Sequence, residues 1–217
     1  MTHEYKDIEI RRVINQAEEE QAFKEQDIYA GVIINDREYE FNARCFFDES
    51  LKIHIPTTFI EMPMELIKLK YPSSDRPQII LTDTNGAIDI SFSLLPSDID
   101  DSQIAEVKTG MKTMFQKLNP AYLFFEEGIE MVDEKTIGFF EFKSPTLTEP
   151  LFNVMFYVEI ERNIMMGCFN CPYDEHLVWQ PLVRQMLQSI RIGKKVEQHQ
   201  AKPESMRPVQ KTGGGRR

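Results

Sequence analysis

The stretch that most limits what this chain can fold into is its closing unit, LFNVMFYVEIERNIMMGCFNCPYDEHLVWQPLVRQMLQSI, residues 151 to 190. Two strand-like runs meet at Glu161-Arg162-Asn163 and pass through Pro172 into an amphipathic helix. In the first run Phe152, Val154, Phe156, Val158 and Ile160 alternate with Leu151, Met155 and Tyr157, so both faces of the strand are apolar. A strand of this kind belongs in the middle of a sheet with cover on each side. The helix over about 177 to 190 supplies one cover through Leu182, Met186 and Ile190, with Pro181 near its start.

The same two-sidedness recurs in the adjacent pairs Phe46-Phe47, Phe124-Phe125 and Phe139-Phe140, since neighbours in a strand point to opposite faces. Strands are expected at roughly 122 to 132, 136 to 143, 151 to 161 and 163 to 170, four in a row, which reads as an antiparallel meander. Upstream, Gln78 to Thr82 and Ala87 to Leu94 flank Asp83-Thr84-Asn85-Gly86, where the Asn-Gly pair favours a tight hairpin. In its second arm Ile88, Ile90, Phe92 and Leu94 face one way while Asp89, Ser91 and Ser93 face the other. Ile104, Val107, Met111, Met114 and Leu118 form one helical stripe, with acidic residues at its start and Pro120 past its end. A short helix is expected at PMELIKLK, residues 63 to 70. Tyr39, Phe41, Ala43 and Cys45 alternate as a half-buried strand, and Leu51, Ile53 and Ile55 do the same up to Pro56. Runs of strands joined to long helices, without strict alternation, make the fold class α+β: an antiparallel sheet flanked by helices on its faces.

The organisation expected is an N-terminal helical extension over 1 to 38, one α+β domain over 39 to 192, and a disordered basic tail over 193 to 217. In the extension Ile10, Val13, Ile14 and Ala17 stand at helical spacing. The tail carries seven Lys/Arg against two Glu, which leaves 18 basic against 33 acidic residues before it. So acidic a body repels phosphate backbones and anionic lipid, which argues against nucleic acid and membrane and for a protein partner. The N-terminus has no apolar core of a signal peptide and the three cysteines are odd in number, so a cytoplasmic location with reduced thiols is expected.

The order of features is IPTTFIEMP, a hairpin of RPQIILTD and GAIDISFSLLP, a long helix, a meander, and a closing WQPLVRQMLQSI helix. It resembles the PsbP-like superfamily, which includes a photosystem accessory subunit, a Ran-binding nuclear-transport factor and bacterial DcrB-like proteins, over about residues 39 to 192. The resemblance implies an α/β/α sandwich and a non-enzymatic scaffold that binds proteins; some bacterial relatives look like chaperones sheltering apolar helices of secreted effectors.

The sharpest local pattern is Cys168-Phe169-Asn170-Cys171. A CxxC can tune a thiol for disulfide exchange or give zinc two ligands, with His176 as a third, but it lies at a strand end and no second CxxC exists. Structural thiols are the favoured reading. Asp98, Asp100 and Asp101 read as helix-start carboxylates rather than a calcium loop, because the loop lacks the glycine and the bidentate glutamate of that motif. Glu126, Glu127, Glu130, Glu141 and Glu159 read as a solvated acidic face. With no nucleophile-elbow, metalloprotease, phosphate-loop or dinucleotide motif, neither an enzyme nor a cofactor is expected.

The large store of Phe and Met then sets the functional expectation: a non-catalytic, cytosolic adaptor or chaperone-like protein taking an apolar helix or strand of a partner on a sheet face with an acidic rim. Phe125, Phe140, Phe156 and Met155 are the expected contact residues. The alternatives are a thiol or zinc protein using Cys168 and Cys171, and a subunit that self-associates through its N-terminal helix.

Overall fold

The computed structural model describes residues 25 to 34 and 37 to 193. The helix expected within 8 to 27 lies outside the described residues as far as 24, with 25 to 27 not helical, and the tail beyond 193 lies outside them altogether. The frame is a seven-stranded antiparallel sheet whose order is β5-β6-β7-β11-β10-β9-β8. Its members are β5 (Ile60–Glu61), β6 (Ile79–Thr82), β7 (Asp89–Leu95), β8 (Leu123–Val132), β9 (Lys135–Ser144), β10 (Leu151–Ile160) and β11 (Asn163–Pro172). The last four form the expected meander, and β7 pairs with β11 to join the hairpin to it. β10, the strand apolar on both faces, stands between β9 and β11, inside the sheet as its pattern requires.

Two helices cover opposite faces. α2 (Ile104–Leu118) packs on β9 and β10 over Phe140, Phe142, Met155 and Tyr157. α3 (His176–Gln188) presents Trp179, Leu182, Val183 and Met186 to the other face, where Phe152, Val154, Phe156 and Val158 are buried. That face is closed further by a three-stranded sheet, β12-β4-β3, made of β3 (Phe41–Phe46), β4 (Leu51–Pro56) and β12 (Arg191–Ile192). A small β1-β2 ribbon (Val32–Ile34, Arg37–Tyr39) adds Val32, Ile34 and Tyr39 to this core, and Ile28 joins them. α1 (Met64–Lys70), entered through Pro63, is the short helix expected before Tyr71-Pro72.

Several local expectations change. Of the alternation Tyr39, Phe41, Ala43 and Cys45, Tyr39 and Phe41 are buried as expected, but at the far end of β3 the register sets Arg44 opposite Ile53 and Phe46 opposite Leu51. Leu51 and Ile53 are fully buried, so at this end of β3 Arg44 and Phe46 turn inward and Cys45 is exposed. The cause is the edge position: the inward face is only half covered, and the Arg44 guanidinium fills it by donating to the Phe59 carbonyl at 2.8 Å and lying over the Phe46 ring. Pro181 lies in the second turn of α3 rather than at its start, because the helix begins at His176 after a 3₁₀ turn.

The hairpin turns also differ. At Asp83–Gly86 only Gly86 has positive φ, and the Asp83 carboxylate holds the loop by accepting from the Asn85, Ala87 and Ile88 amides. Successive positive φ values occur instead at Asp133-Glu134, at Glu161-Arg162 and over the three residues Phe47-Asp48-Glu49, none of these turns containing glycine at those positions. Left-handed backbone costs a side-chain-bearing residue about 1 kcal/mol or more. Glu134→Gly is therefore expected to raise stability by about 0.5 kcal/mol, the relief being partly offset by the entropy of a glycine in the unfolded chain. Urea denaturation reads the change, and a loss of stability would show that Glu134 contributes more through its side chain than its backbone costs.

Candidate functional site

α2 covers β9 and β10 but not the whole sheet. Between α2 and the C-terminal end of α1 a groove of about 430 Å³ remains, floored by β7, β11 and the near end of β10. Strand alternation decides its lining: the β7 residues opposite to Ile90 and Phe92 are Asp89, Ser91 and Ser93, and pairing with β11 sets them against Asn170, Cys168 and Met166. Phe115 of α2 and Tyr122 form one wall, with Lys70 and Tyr71 on the other side. The floor is thus unusually polar for a sheet interior, with Asp89 fully buried and Ser91, Ser93, Asn153 and Asn170 nearly so.

Asp89 anchors the deep end. Its Oδ2 accepts from the Lys70 ammonium at 2.5 Å and from the Tyr71 hydroxyl at 3.3 Å, while Lys70 also donates to the Gly86 carbonyl. Burial raises the Asp89 carboxyl above its ordinary range, against the pull of Lys70, and raises the Tyr71 hydroxyl as well. A carboxyl and a phenol of shifted acidity set beside an ammonium in one hollow mark the most chemically distinctive place in the described molecule. No two of them are close in sequence except Lys70 and Tyr71.

Of the expected contact residues, Met155 lines this groove. Phe140 and Phe156 are corrected to core: both are fully buried, Phe140 beneath the Phe115 ring of α2 at 5.8 Å and Phe156 on the α3 side, and neither offers surface to a partner. Phe125 is half-exposed but lies on the α3 side, against Phe152 and Tyr173, away from the groove.

The cysteine pair is divided by geometry. Three residues apart on one strand, Cys168 and Cys171 face opposite sides of the sheet, Cys168 into the groove and Cys171 into the α3 core. They cannot join in a disulfide or hold one metal ion while β11 keeps its pairing. His176 sits at the start of α3, its Nδ1 2.6 Å from the Tyr173 carbonyl and its ring stacked on Tyr173 at 4.3 Å. Burial pushes the Cys168 thiol up to about 12 and the Cys171 thiol well above its ordinary value. Thiol titration of the native protein is therefore expected to find one fast-reacting group, the exposed Cys45, and two more only after denaturation. Rapid reaction of two or three groups would mean that β11 opens readily.

The carboxylates expected as a solvated face are largely engaged. Glu141 is fully buried and accepts from Gln180 at 2.7 Å; Glu159 pairs with Lys135; Glu127 pairs with Lys108 and Lys112; Glu126 and Glu130 share Arg184. The β8 carboxylates thus meet cations of the two long helices, Glu159 meets Lys135 of β9, and Glu141 meets only the neutral Gln180 amide. The three aspartates near α2 have structural partners: Asp100 forms a capping box with Gln103, Asp101 accepts from Thr136, and Asp98 pairs with Arg162.

Apart from Met155 and Cys168, the groove residues are not marked as a site in the sequence, because they come from the end of α1, β7, α2 with the loop after it, β9 with β10, and β11. Two signals were present. One is the Asp89, Ser91, Ser93 alternation on a strand otherwise built for a core, and the other is Asn153 inside the most apolar run of the chain.

Similar architectures occur among solved structures. The solution structure of cyanobacterial PsbP (CyanoP) from Synechocystis sp. PCC 6803 matches 70% of this chain and 92% of that one, with a TM-score of 0.50 and 9% identity. LpqN, involved in cell envelope biogenesis of Mycobacterium tuberculosis, matches 75% of this chain and 98% of its own with a TM-score of 0.48 and 12% identity. PA94 of Pseudomonas aeruginosa, a protein of unknown function and putative regulator, matches 71% and 98% with a TM-score of 0.45 and 9% identity. No protein-family model matches the chain, and no curated protein matches it in sequence. Identity this low speaks for architecture only, and the architecture of this chain is the PsbP-like fold.

Proposed function

We propose that this protein is a non-catalytic binding scaffold, an adaptor or chaperone-like accessory, that holds a segment of a protein partner in the groove between α1 and α2. The observation that carries this reading is the incomplete cover of one sheet face: α2 spans β9 and β10, and the floor beside it lies open between two walls. A second hollow of about 550 Å³ shares Lys70 and Leu151 with the first and runs to the loop at Thr146 to Glu149. Leu69 and Leu147 stand exposed along it, so a partner segment lying in the combined channel finds an apolar rim above a polar floor. The groove holds no pair of groups set as nucleophile and base, and Lys70 is committed to Asp89, which favours binding over catalysis.

The test compares capture of a partner from the source cells by wild-type protein, by Ser93→Trp, which fills the groove, and by Met131→Asp, which alters the exposed edge strand β8. Loss of one specific protein with Ser93→Trp and its retention with Met131→Asp is expected. Retention with Ser93→Trp and loss with Met131→Asp would move the binding surface to the sheet edge and refute the groove.

A further inference from the structure

Among the described residues, the deep end of the groove contains two buried acceptor oxygens without a well-formed hydrogen bond, Asp89 Oδ1 and Asn170 Oδ1, although the Thr82 hydroxyl lies near the Asp89 carboxyl and the Cys168 thiol near the Asn170 amide. Asp89 and Asn170 are direct cross-strand partners in the β7–β11 register, so their side chains stand beside each other on one face, and both line the cavity. Their orientations are fixed by the surrounding bonds. Oδ2 of Asp89 takes Lys70 and Tyr71, while the Thr82 hydroxyl, the neighbour across β6, donates to the Ile88 carbonyl. The Tyr71 hydroxyl has one proton, which goes to Asp89, so it accepts from the Asn170 amide nitrogen at 3.5 Å. That bond holds Nδ2 toward Tyr71 and leaves Oδ1 without a well-formed bond.

Buried acceptors left without well-formed bonds are costly, on the order of 1–3 kcal/mol each, and two side by side in an open groove ask for a ligand. We propose that this end of the groove binds a neutral carboxamide, its two N–H bonds directed to Asp89 Oδ1 and Asn170 Oδ1 and its carbonyl met by a serine hydroxyl of β7. Charge selects the neutral group. A carboxylate would set its own acceptor oxygens against Asp89 Oδ1 and Asn170 Oδ1, and an ammonium would add a second cation where Lys70 already balances the one carboxylate of the floor. Ser91 and Ser93 lie along the same floor, and Phe115, Tyr122 and Phe142 give the amide's apolar carrier an aromatic wall. The inference rests on the groove being the binding site, and it names the chemical group recognised there, whether carried by a small molecule or by a peptide.

The experiment is an amide-resonance NMR titration of the full chain with benzamide, benzoate and benzylammonium, followed by N-acetylphenylalaninamide and its free acid as peptide-like counterparts. Saturable shifts at Ser91, Ser93 and Asn170 with benzamide are expected, with the charged analogues at least about tenfold weaker, the worth of one well-made hydrogen bond to a buried group. Tighter binding of N-acetylphenylalaninamide than of benzamide would assign the amide to a peptide, and the reverse to a small molecule. Asn170→Leu should remove the preference for benzamide; should that variant not fold, Tyr71→Phe frees the Asn170 amide to rotate and should reduce the preference to less than about threefold. Equal binding of all three benzyl and benzoyl probes, stronger binding of benzylammonium, or shifts that never saturate would overturn the proposal. A Ser93→Trp variant that still loses its protein partner while benzamide fails to bind would refute the amide and spare the groove.

Discussion

Gly167→Ala should cost this protein about 3 kcal/mol, at the upper end of what overpacking a core does. Gly167 lies on β11 with Phe156 of β10 directly opposite on one side and Phe92 of β7 on the other. Their rings meet edge-to-face over it, with centroids 6.3 Å apart. A methyl group at residue 167 would stand 2.0 Å from the tip of the Phe156 ring and 2.3 Å from the next ring carbon. No relaxation within a rotamer clears such a clash, and Phe156, fully buried between β10 and α3, has nowhere to swing. Urea denaturation should show a fall in midpoint of roughly 1–2 M with little change in slope. The steric origin has its own check. Phe156→Leu alone removes packing, yet in the Gly167→Ala background it should recover part of the loss, because the shorter side chain makes room. Strict additivity of the two changes would show that the methyl group is harmful for another reason. The same device recurs at Gly128, where an added carbon would meet the Phe139 ring opposite it at 2.5 Å.

These glycines show which parts of the structure are legible in the chain and which are not. The alternation of β10 is a local property, and it put Phe152, Val154, Phe156 and Val158 on one face and Met155 and Tyr157 on the other, as the two cores have them. The adjacent Phe139 and Phe140 likewise divide between the faces, and α2 follows from its stripe and its aspartates. The glycine slots are not local: that Gly167 must be small depends on Phe156 and Phe92, which reach it only through the register of three strands. Burial amounts have the same character. Phe140 and Phe156 are large, aromatic and strand-borne, as contact residues often are, but whether a ring is covered depends on what packs above it. The end of β3 at Ala43 and Cys45 departs from its pattern for a related reason, since a thinly covered strand keeps its period while losing the burial that tells inward from outward, whereas Tyr39 and Phe41 are buried as their alternation implies. The candidate site was the least legible part. Lys70, Tyr71, Asp89 and Asn170 lie on three separate stretches of chain, and each alone reads as an ordinary polar residue.

The Lys70–Asp89 pair provides the second large effect, and its sign depends on pH. Asp89 is fully buried, and the Lys70 ammonium is three-quarters covered at 2.5 Å from it. Burial outweighs Lys70, so the folded protein holds the Asp89 proton to a higher pH than the unfolded chain does. A carboxyl raised in this way binds more protons folded than unfolded; its ionisation subtracts stability as pH climbs from the ordinary carboxylate value, about 4, toward the raised one. Lys70→Met removes the cation that offsets this cost, so the penalty should grow and its window should extend further upward. At pH 4 and below the variant should lose only the bond from Lys70 to the Gly86 carbonyl, about 1 kcal/mol. At pH 8 the loss should reach about 3 kcal/mol, the cost of leaving a buried charge without its partner. Denaturation midpoints for wild type and variant across that range give the curve directly. In a Lys70→Met, Asp89→Asn double variant nothing at this position titrates, and the deficit should become independent of pH. A deficit in the single variant that is equally large at pH 4 and pH 8 would mean that Lys70 serves the loop at Gly86 rather than the charge of Asp89, and the floor of the groove would then hold a neutral carboxyl throughout.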